Sequence, residues 1–151
     1  MSPATLTLQE LEARVGKPLE PSPWLLVDQE RIGAFARATD DLQWIHVDPE
    51  RARASPLGGT IAHGFLTLSL LPRMIEQAVA VAGGRMTVNY GLNKVRFTAP
   101  LPSGSRVRGR FTPQRIEPVE GGVQVTWSVV VEREGAEKPC LVAEWLTRHH
   151  E

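Results

Sequence analysis

The 151-residue sequence predicts an α+β fold, in which helices come first and antiparallel strands follow. Helical spacing of apolar residues occurs before Gly83-Gly84, and four runs rich in β-branched and aromatic residues come after it. Short connections with Pro or Gly separate those runs, which favours antiparallel neighbours. A long apolar segment directly before the strands provides a helix for the sheet to wrap around.

The first half of the chain predicts two helices and one short strand. A helix runs from about Leu8 and stops at Gly16. The run WLLV, residues 24–27, is typical of a strand. Asp28 can cap a second helix, whose apolar residues lie on one face and whose pattern ends near Thr39.

Two further helices are predicted before the strands. Asp48 fits the N-cap and Pro49 the first helical position of a short helix that ends near Ala54. From Gly64 to about residue 82 the chain is apolar on nearly every face, which indicates a buried helix. Pro72 should kink that helix.

The predicted strands lie in four runs that form a meander. Their ranges are 85–99, 105–118, 123–134 and 139–150. One helix covers only part of such a sheet, so we expect the sheet edge or its far face to meet a second copy, giving a homodimer.

Composition excludes several classes of partner. Seventeen basic residues balance seventeen acidic ones, so charge gives no reason to expect nucleic acid or an anionic membrane. The single cysteine, Cys140, cannot form an intrachain disulfide, and the N-terminus has no signal-peptide pattern, so we expect a cytoplasmic protein. No His/Cys set has metal-ligand spacing and no phosphate-cradling glycine loop occurs, so we expect no metal and no cofactor.

The stretch TDDLQWIHVDP, residues 39–49, contains a possible acid–base pair. Asp41 and His46 are five residues apart, which directs their side chains apart on either a helix or a strand. A helix end followed by a tight loop can bring them together. A carboxylate and an imidazole that meet at one water can orient it and exchange its protons. A solvated loop without chemistry is the alternative.

The stretch GGTIAHGF leads into the buried helix and predicts an oxyanion site. The first amides of a helix have no intrahelical partner and carry positive partial charge. A thioester carbonyl near the amide of Gly64 would be polarised, and the missing side chain would allow close approach. Alternatively, Gly58, Gly59 and Gly64 merely permit a tight turn.

These pieces resemble the MaoC-like dehydratases, or (R)-specific enoyl-CoA hydratases, of hotdog fold. The resemblance lies in FARATDDLQWIHVDPERA followed by GGTIAHGF, and it runs from about Phe35 to Pro102. The wording QWIHVDPERA and the later NYGLNKVRFTAP are similar to the nodulation-protein-N-like branch. The resemblance implies a single domain over residues 1–151, with the sheet wrapped around the helix that begins at Gly64.

The resemblance also implies an activity. Asp41 and His46 would be the catalytic pair that binds the water, and the Gly64 amide would donate to the thioester carbonyl. The reaction would be the reversible syn hydration of a trans-2-enoyl thioester to the (3R)-hydroxyacyl thioester. The substrate would be an acyl-CoA or an acyl carrier protein thioester, bound near the interface of a homodimer.

This chain departs from the family pattern at three places. The motif's glycine before the catalytic aspartate is Asp40 here, which could raise the proton affinity of Asp41 or point to solvent. The motif's Asn-Pro is Gln43-Trp44, and Gln43 could hold the water or the Asp41 side chain. A helix serine that aids some hydratases corresponds to Pro72, which cannot do so.

Three more residues complete the expected substrate-binding set with Gln43. His63 is included, although support of the loop through a ring hydrogen bond is the favoured role for it. Asn89 and Asn93 would line the acyl or pantetheine channel, unless they belong to a bulge near Gly91.

Other features have a structural and a functional interpretation. Arg106, Arg108 and Arg110 alternate along one strand face, where they could hold CoA phosphates or simply face solvent. The terminal pair His149-His150 is expected to be frayed and without a partner.

Two rival functions remain open from the sequence. One is a thioesterase of the same fold, and the other is a non-catalytic module that binds acyl thioesters.

Overall fold

Residues 2–151, which the computed structural model describes, form a curled antiparallel sheet wrapped around a central pair of helices. The elements in chain order are β1 (Ala4–Leu6), α1 (Leu8–Glu12), β2 (Leu25–Val27), α2 (Gln29–Thr39), α3 (Trp44–Val47), α4 (Pro49–Arg53), α5 (Gly64–Ser69), α6 (Leu71–Ala78), β3 (Val79–Val81), β4 (Met86–Arg96), β5 (Ser105–Val119), β6 (Gly122–Arg133) and β7 (Leu141–His150). This arrangement is the predicted α+β hotdog fold.

The main sheet has five strands in the order β2-β5-β6-β7-β4. The strands β5, β6 and β7 form consecutive antiparallel pairs, as the short turns between them predicted. The prediction of one continuous meander is wrong at β4, which pairs with β7 instead of β5. The segment between β4 and β5 contains Pro100 and Pro102, which lack the N–H groups of a hairpin ladder. Its backbone instead bonds Thr60 and Val27, through Ser103 and Gly104.

The central helix is shorter than predicted and divided earlier. It breaks at Leu70, just ahead of Pro72, and α6 ends at Ala78. The Val-Ala-Val run that continues the apolar segment is the strand β3, which pairs in parallel with β1. Its β-branched residues suit a strand, and β1 was not predicted because three residues give no periodicity. None of the helices in residues 2–151 has the length and apolar content to cross a membrane.

The core lies between α6 and the inner face of the sheet. Leu71 and Met74 of the helix are fully buried, as are Phe111 and Trp127 of the sheet. The indole N–H of Trp127 donates to the Thr147 hydroxyl at 2.9 Å, so the largest core side chain has its polar atom paired. This packing fixes the central helices relative to the strands, and with them the position of the helix start at Gly64.

The two terminal histidines are ordered parts of β7, so the expectation that they are frayed and unpartnered is wrong. His149 faces Thr87 across the strand pair, and its two ring nitrogens lie 3.2 Å from the Thr87 hydroxyl and 3.0 Å from the Thr147 hydroxyl. Burial, and then the charge of His150, lower the pKa of His149. The long register between β4 and β7 holds the chain end in place.

Each arginine of the row on β5 pairs with a carboxylate on or directly after the neighbouring strand β6. Arg108 and Arg110 both donate to Glu132, at 2.8 and 2.5 Å, and Arg106 lies 3.2 Å from Glu134. Burial acts to raise the pKa of the Glu132 carboxyl, but hydrogen bonds and charge from the two arginines outweigh it and hold that pKa below its usual value. Paired guanidinium groups favour the interpretation of a sheet face over that of a phosphate site.

The Glu132 pairs should stabilise the fold in a pH-dependent way. A carboxyl whose pKa is lower in the folded state contributes stability above its unfolded pKa, and this is lost as pH falls through the folded value. We expect Glu132→Gln to lower the free energy of unfolding by about 1 kcal/mol at pH 7. The difference should shrink below about pH 4, as measured by urea denaturation across pH.

Glu117→Gln is the matched control, because Glu117 pairs with Arg115 at 2.7 Å but is about half exposed. It should change stability less. An equal loss in both variants, or a Glu132→Gln loss that does not depend on pH, would contradict this interpretation.

Candidate active site

The end of α2 places the first candidate residue. Asp28 caps the start of the helix by accepting from the Arg31 amide at 2.9 Å, as predicted. Asp40 ends it with φ +60°, the left-handed conformation, and among the described residues no other non-glycine residue has a positive φ. Aspartate tolerates this conformation, which glycine adopts more readily. Asp40 therefore occupies a turn position at the place of the motif's glycine, and the chain changes direction directly before Asp41.

A short helix that was not predicted carries the histidine of the pair. Residues 44–47 form α3, so the segment between α2 and α4 is not entirely loop. Gln43 is the N-cap residue of α3, but its side chain makes no capping hydrogen bond. Asp48 caps α4 as predicted, by accepting from the Arg51 amide at 3.1 Å. His46 lies on this one turn of helix and is buried.

A backbone carbonyl fixes the ring of His46, and a side-chain amide fixes its main chain. Its Nδ1 donates to the Ile61 carbonyl at 2.7 Å, so in the neutral ring Nε2 has the free lone pair. The Ile61 amide donates in return to the Ile45 carbonyl at 3.0 Å. Gln29, which the sequence analysis missed, donates to the His46 carbonyl at 2.8 Å and accepts from the Thr60 hydroxyl. The Nε2 atom is thus the part of His46 left for a ligand.

The fold brings Asp41 and His46 together, as the sequence predicted. A carboxylate oxygen of Asp41 and ring nitrogens of His46 and His63 all lie within 4.8 Å of one another. Asp41 is exposed, whereas both histidines are buried. A buried imidazole beside an exposed carboxylate can hold a water between them while solvent still reaches the carboxylate.

The same three side chains are close enough to be considered as metal ligands. This grouping escapes an analysis of spacing along the chain, because His63 comes from a separate segment. The two imidazole rings are stacked, with centroids 3.7 Å apart and planes 21° apart. Lone pairs of stacked rings lie in nearly parallel planes and cannot both point at one ion. The stacked arrangement is therefore unsuited to coordination of one metal ion by both histidines.

Gly64 begins α5 beside this pair and lines the same cavity as His46. The cavity is about 310 Å³ in volume. Within the described chain, no backbone carbonyl accepts from the Gly64 amide. A Cβ atom on Gly64 would lie 2.8–2.9 Å from three ring carbons of Phe97, so this ring lies directly over the glycine. The sequence analysis missed Phe97, whose only signal is a large apolar residue at the end of a strand.

Cys140 also lines this cavity, but its sulfur is not in the thiolate form that a nucleophile requires. It is buried, and its Sγ lies 3.5 Å from the Val131 carbonyl. Burial raises the pKa of Cys140 to about 11. The thiol therefore stays protonated at neutral pH, and attack on a thioester by this sulfur is disfavoured.

Asn89 and Asn93 of β4 do not line the cavity of His46 and Gly64. The strand has bulges between Asn89 and Gly91 and between Leu92 and Lys94, which confirms the bulge interpretation. Asn93 is exposed at the second bulge. Asn89 lines a separate groove beside α6. Contact of either asparagine with a substrate stays a prediction, as it does for Gln43.

Comparisons with known proteins find relatives over nearly the whole chain. Residues 10–134 match the family model of the MaoC-like domain. The chain is 51% identical over 144 residues to 3-hydroxyacyl-thioester dehydratase Z of Mycobacterium tuberculosis, covering 95% of each chain. It is 48% identical over 145 residues to nodulation protein N of Rhizobium leguminosarum, covering 94% of this chain and 90% of that one.

Among solved structures, the R-hydratase of Pseudomonas aeruginosa superposes with a TM-score of 0.73. It shares 20% sequence identity, and the match covers 88% of this chain and 81% of that one. At this identity the likeness concerns the fold.

The contact between Gly64 and Phe97 gives a testable prediction. Gly64→Ala should lower the free energy of unfolding by about 1–3 kcal/mol, because the new methyl group would overlap the Phe97 ring. In a Phe97→Ala background the same substitution should cost much less, since close contacts are not additive. Urea denaturation of the four proteins measures the coupling.

Gly59→Ala is the control, because a Cβ atom at Gly59 would meet nothing within 4 Å. It should leave stability unchanged. A Gly64→Ala penalty that is the same with and without the Phe97 ring would show that another contact requires the glycine.

Proposed function

The chain belongs to the MaoC-like domain family and is a dehydratase/hydratase, that is, a hydro-lyase; from this premise we propose that it hydrates trans-2-enoyl thioesters reversibly to (3R)-hydroxyacyl thioesters. The observation that carries the proposal is the convergence of Asp41 and His46 beside Gly64. The relatives named as dehydratases support the reaction class, and the side chains that converge here supply the chemistry it needs.

The Asp41 carboxylate and His46 Nε2 are both hydrogen-bond acceptors in the neutral-imidazole state. A water between them can donate one hydrogen to each, which leaves an oxygen lone pair directed at C3 of the enoyl group. As the C3–O bond forms, one of the two groups takes a proton from the water, and the same group then delivers that proton to C2. One H₂O is added across the double bond, and delivery from the same side gives syn addition.

Negative charge moves to the thioester oxygen while C3 is attacked. The Gly64 amide is the donor proposed for that oxygen, because no backbone carbonyl in residues 2–151 accepts its hydrogen. The Phe97 ring lies over the glycine and, like His46, lines the cavity, so the carbonyl would reach Gly64 through that cavity. Both coenzyme A and acyl carrier protein thioesters fit this chemistry, and acyl-CoA is the proposed substrate.

The edge strand β4 supports assembly into a homodimer. It lies at the end of the sheet, where no strand within residues 2–151 pairs with its outer edge, and most of its residues are exposed. Exposed apolar side chains along it include Met86, Val88, Tyr90 and Leu92. An edge strand of this kind is suited to pairing with a second sheet. The cytoplasmic location and the single domain over residues 1–151 stay predictions.

The activity is tested with a short trans-2-enoyl-CoA, by following the loss of the enone absorbance. We expect Asp41→Asn and His46→Asn each to lower kcat by about 10²–10⁴-fold, because each removes one acceptor of the water and an acid–base group. Asp40→Asn is the matched control, since it removes a neighbouring carboxylate at a position that asparagine also tolerates; it should retain activity.

Full activity in both Asp41→Asn and His46→Asn would contradict the assignment. Release of free thiol from acyl-CoA without hydration would favour the thioesterase alternative. Binding without turnover would favour the non-catalytic module.

The dimer is tested by mass in solution. We expect sedimentation equilibrium to give the mass of two chains. The substitutions Val88→Lys and Leu92→Lys together should shift it toward one, because they place charge on the exposed apolar edge. Leu26→Lys is the control on β2, the opposite edge strand, and should leave the dimer intact. A wild-type protein with the mass of one chain would overturn this proposal.

A further inference from the structure

His63 touches both members of the catalytic pair. Its Nε2 lies 3.0 Å from the Asp41 carbonyl, and its ring is stacked on that of His46 with centroids 3.7 Å apart. The ring of Phe35 also packs against it, at 4.9 Å and an angle of 58°. His63 is therefore fixed from more than one direction, and it links two residues that come from a different segment of the chain.

The burial of His63 argues against direct contact with the substrate. Only 2% of the residue is exposed. It does not line the cavity shared by His46 and Gly64. Asp41 does not line that cavity either, but Asp41 is exposed to solvent and His63 is not. A role that acts through its neighbours agrees better with this position than the substrate contact expected from the sequence.

One ring nitrogen of His63 is buried without a hydrogen-bond partner in residues 2–151, which costs folding free energy that another side chain at this position would not cost. A carbonyl can only accept, so Nε2 carries the hydrogen, and Nδ1 of the neutral ring is a bare acceptor. Nδ1 is buried without a hydrogen-bond partner within the described chain. An unpaired buried acceptor costs about 1–3 kcal/mol. A glutamine at this position could supply the donor, and a phenylalanine could supply the flat ring, and neither has this unpaired nitrogen. Of the three side chains, only histidine supplies both the donor and the ring.

We propose that His63 is a positioning residue that holds Asp41 and His46 in the arrangement needed to share one water. Its N–H fixes the main chain of Asp41 directly after the left-handed turn at Asp40. Its ring face fixes the plane of the His46 ring, and so the direction of the His46 Nε2 lone pair. This inference rests on the proposed hydratase function.

Three substitutions separate the two contacts. His63→Gln keeps a donor at the reach of Nε2 but removes the aromatic face. His63→Phe keeps the face but removes the donor, and His63→Ala removes both. We expect kcat to fall about tenfold for Gln or Phe and about 10²-fold for Ala, because small misplacements of catalytic groups are costly. KM should change less than threefold in all three, because His63 does not meet the substrate.

Two controls distinguish positioning from loss of structure. Thr126→Val changes another buried polar residue whose oxygen has no partner, outside the site, and should leave kcat unchanged. Adding His63→Ala to His46→Asn should cause little further loss, since the pair that His63 positions is already broken. Thermal denaturation of each variant shows whether it is folded at the assay temperature.

The possible results separate this inference from the proposed function. A wild-type protein without hydratase activity would overturn the proposed function itself. An active wild type whose folded His63→Ala variant retains full kcat would overturn only the positioning role. A rise in KM with unchanged kcat would instead identify His63 as a substrate-binding residue.

Discussion

The site depends on one set of hydrogen bonds, which joins residues 41–46 to residues 61–63. The Ile61 amide bonds the Ile45 carbonyl, the His46 ring bonds the Ile61 carbonyl, and the His63 ring bonds the Asp41 carbonyl. Each segment thus donates to and accepts from the other. Without this set, only the chain between them and the Gln29 bond to the His46 carbonyl would relate Asp41 to His46, and neither of these fixes the His46 ring.

The rest of the fold positions the second of these segments. Residues 60–62 are bonded on another side to the connection between β4 and β5, through Ala62 to Leu101 and Ser103 to Thr60. Two residues further on, the chain enters the central helices, whose buried face packs against the sheet. Few residues therefore separate the buried central helices from the catalytic pair, and most of the hydrogen bonds between them are made by the backbone. This explains how a small domain can hold the His46 imidazole and the Gly64 amide at one cavity, with the Asp41 carboxylate within 4.8 Å of a His46 ring nitrogen.

The sequence predicted the parts of this arrangement that have local causes. Asp28 and Asp48 cap helices because their side chains meet amides three residues away, and the four long strands follow from residue type and turns. The pairing of β4 with β7 and the packing of Phe97 on Gly64 depend on contacts between distant segments, which local patterns do not encode. Gln29 was missed for the same reason, since its partners are 17 and 31 residues away. The position of Asp40 has a positive φ, which explains why the motif has glycine there and which the sequence pattern did not reveal.

The central claim is that one water, held between Asp41 and His46, supplies the hydroxyl group from the same side on which C2 receives its proton. Hydration of a trans-2-enoyl thioester in D₂O tests this most directly, because NMR of the product shows the relative configuration of deuterium at C2 and hydroxyl at C3. If one water is held between Asp41 and His46, the product should show syn addition and the (3R) configuration. Anti addition, or a mixture of both products at C2 under single-turnover conditions, would contradict it.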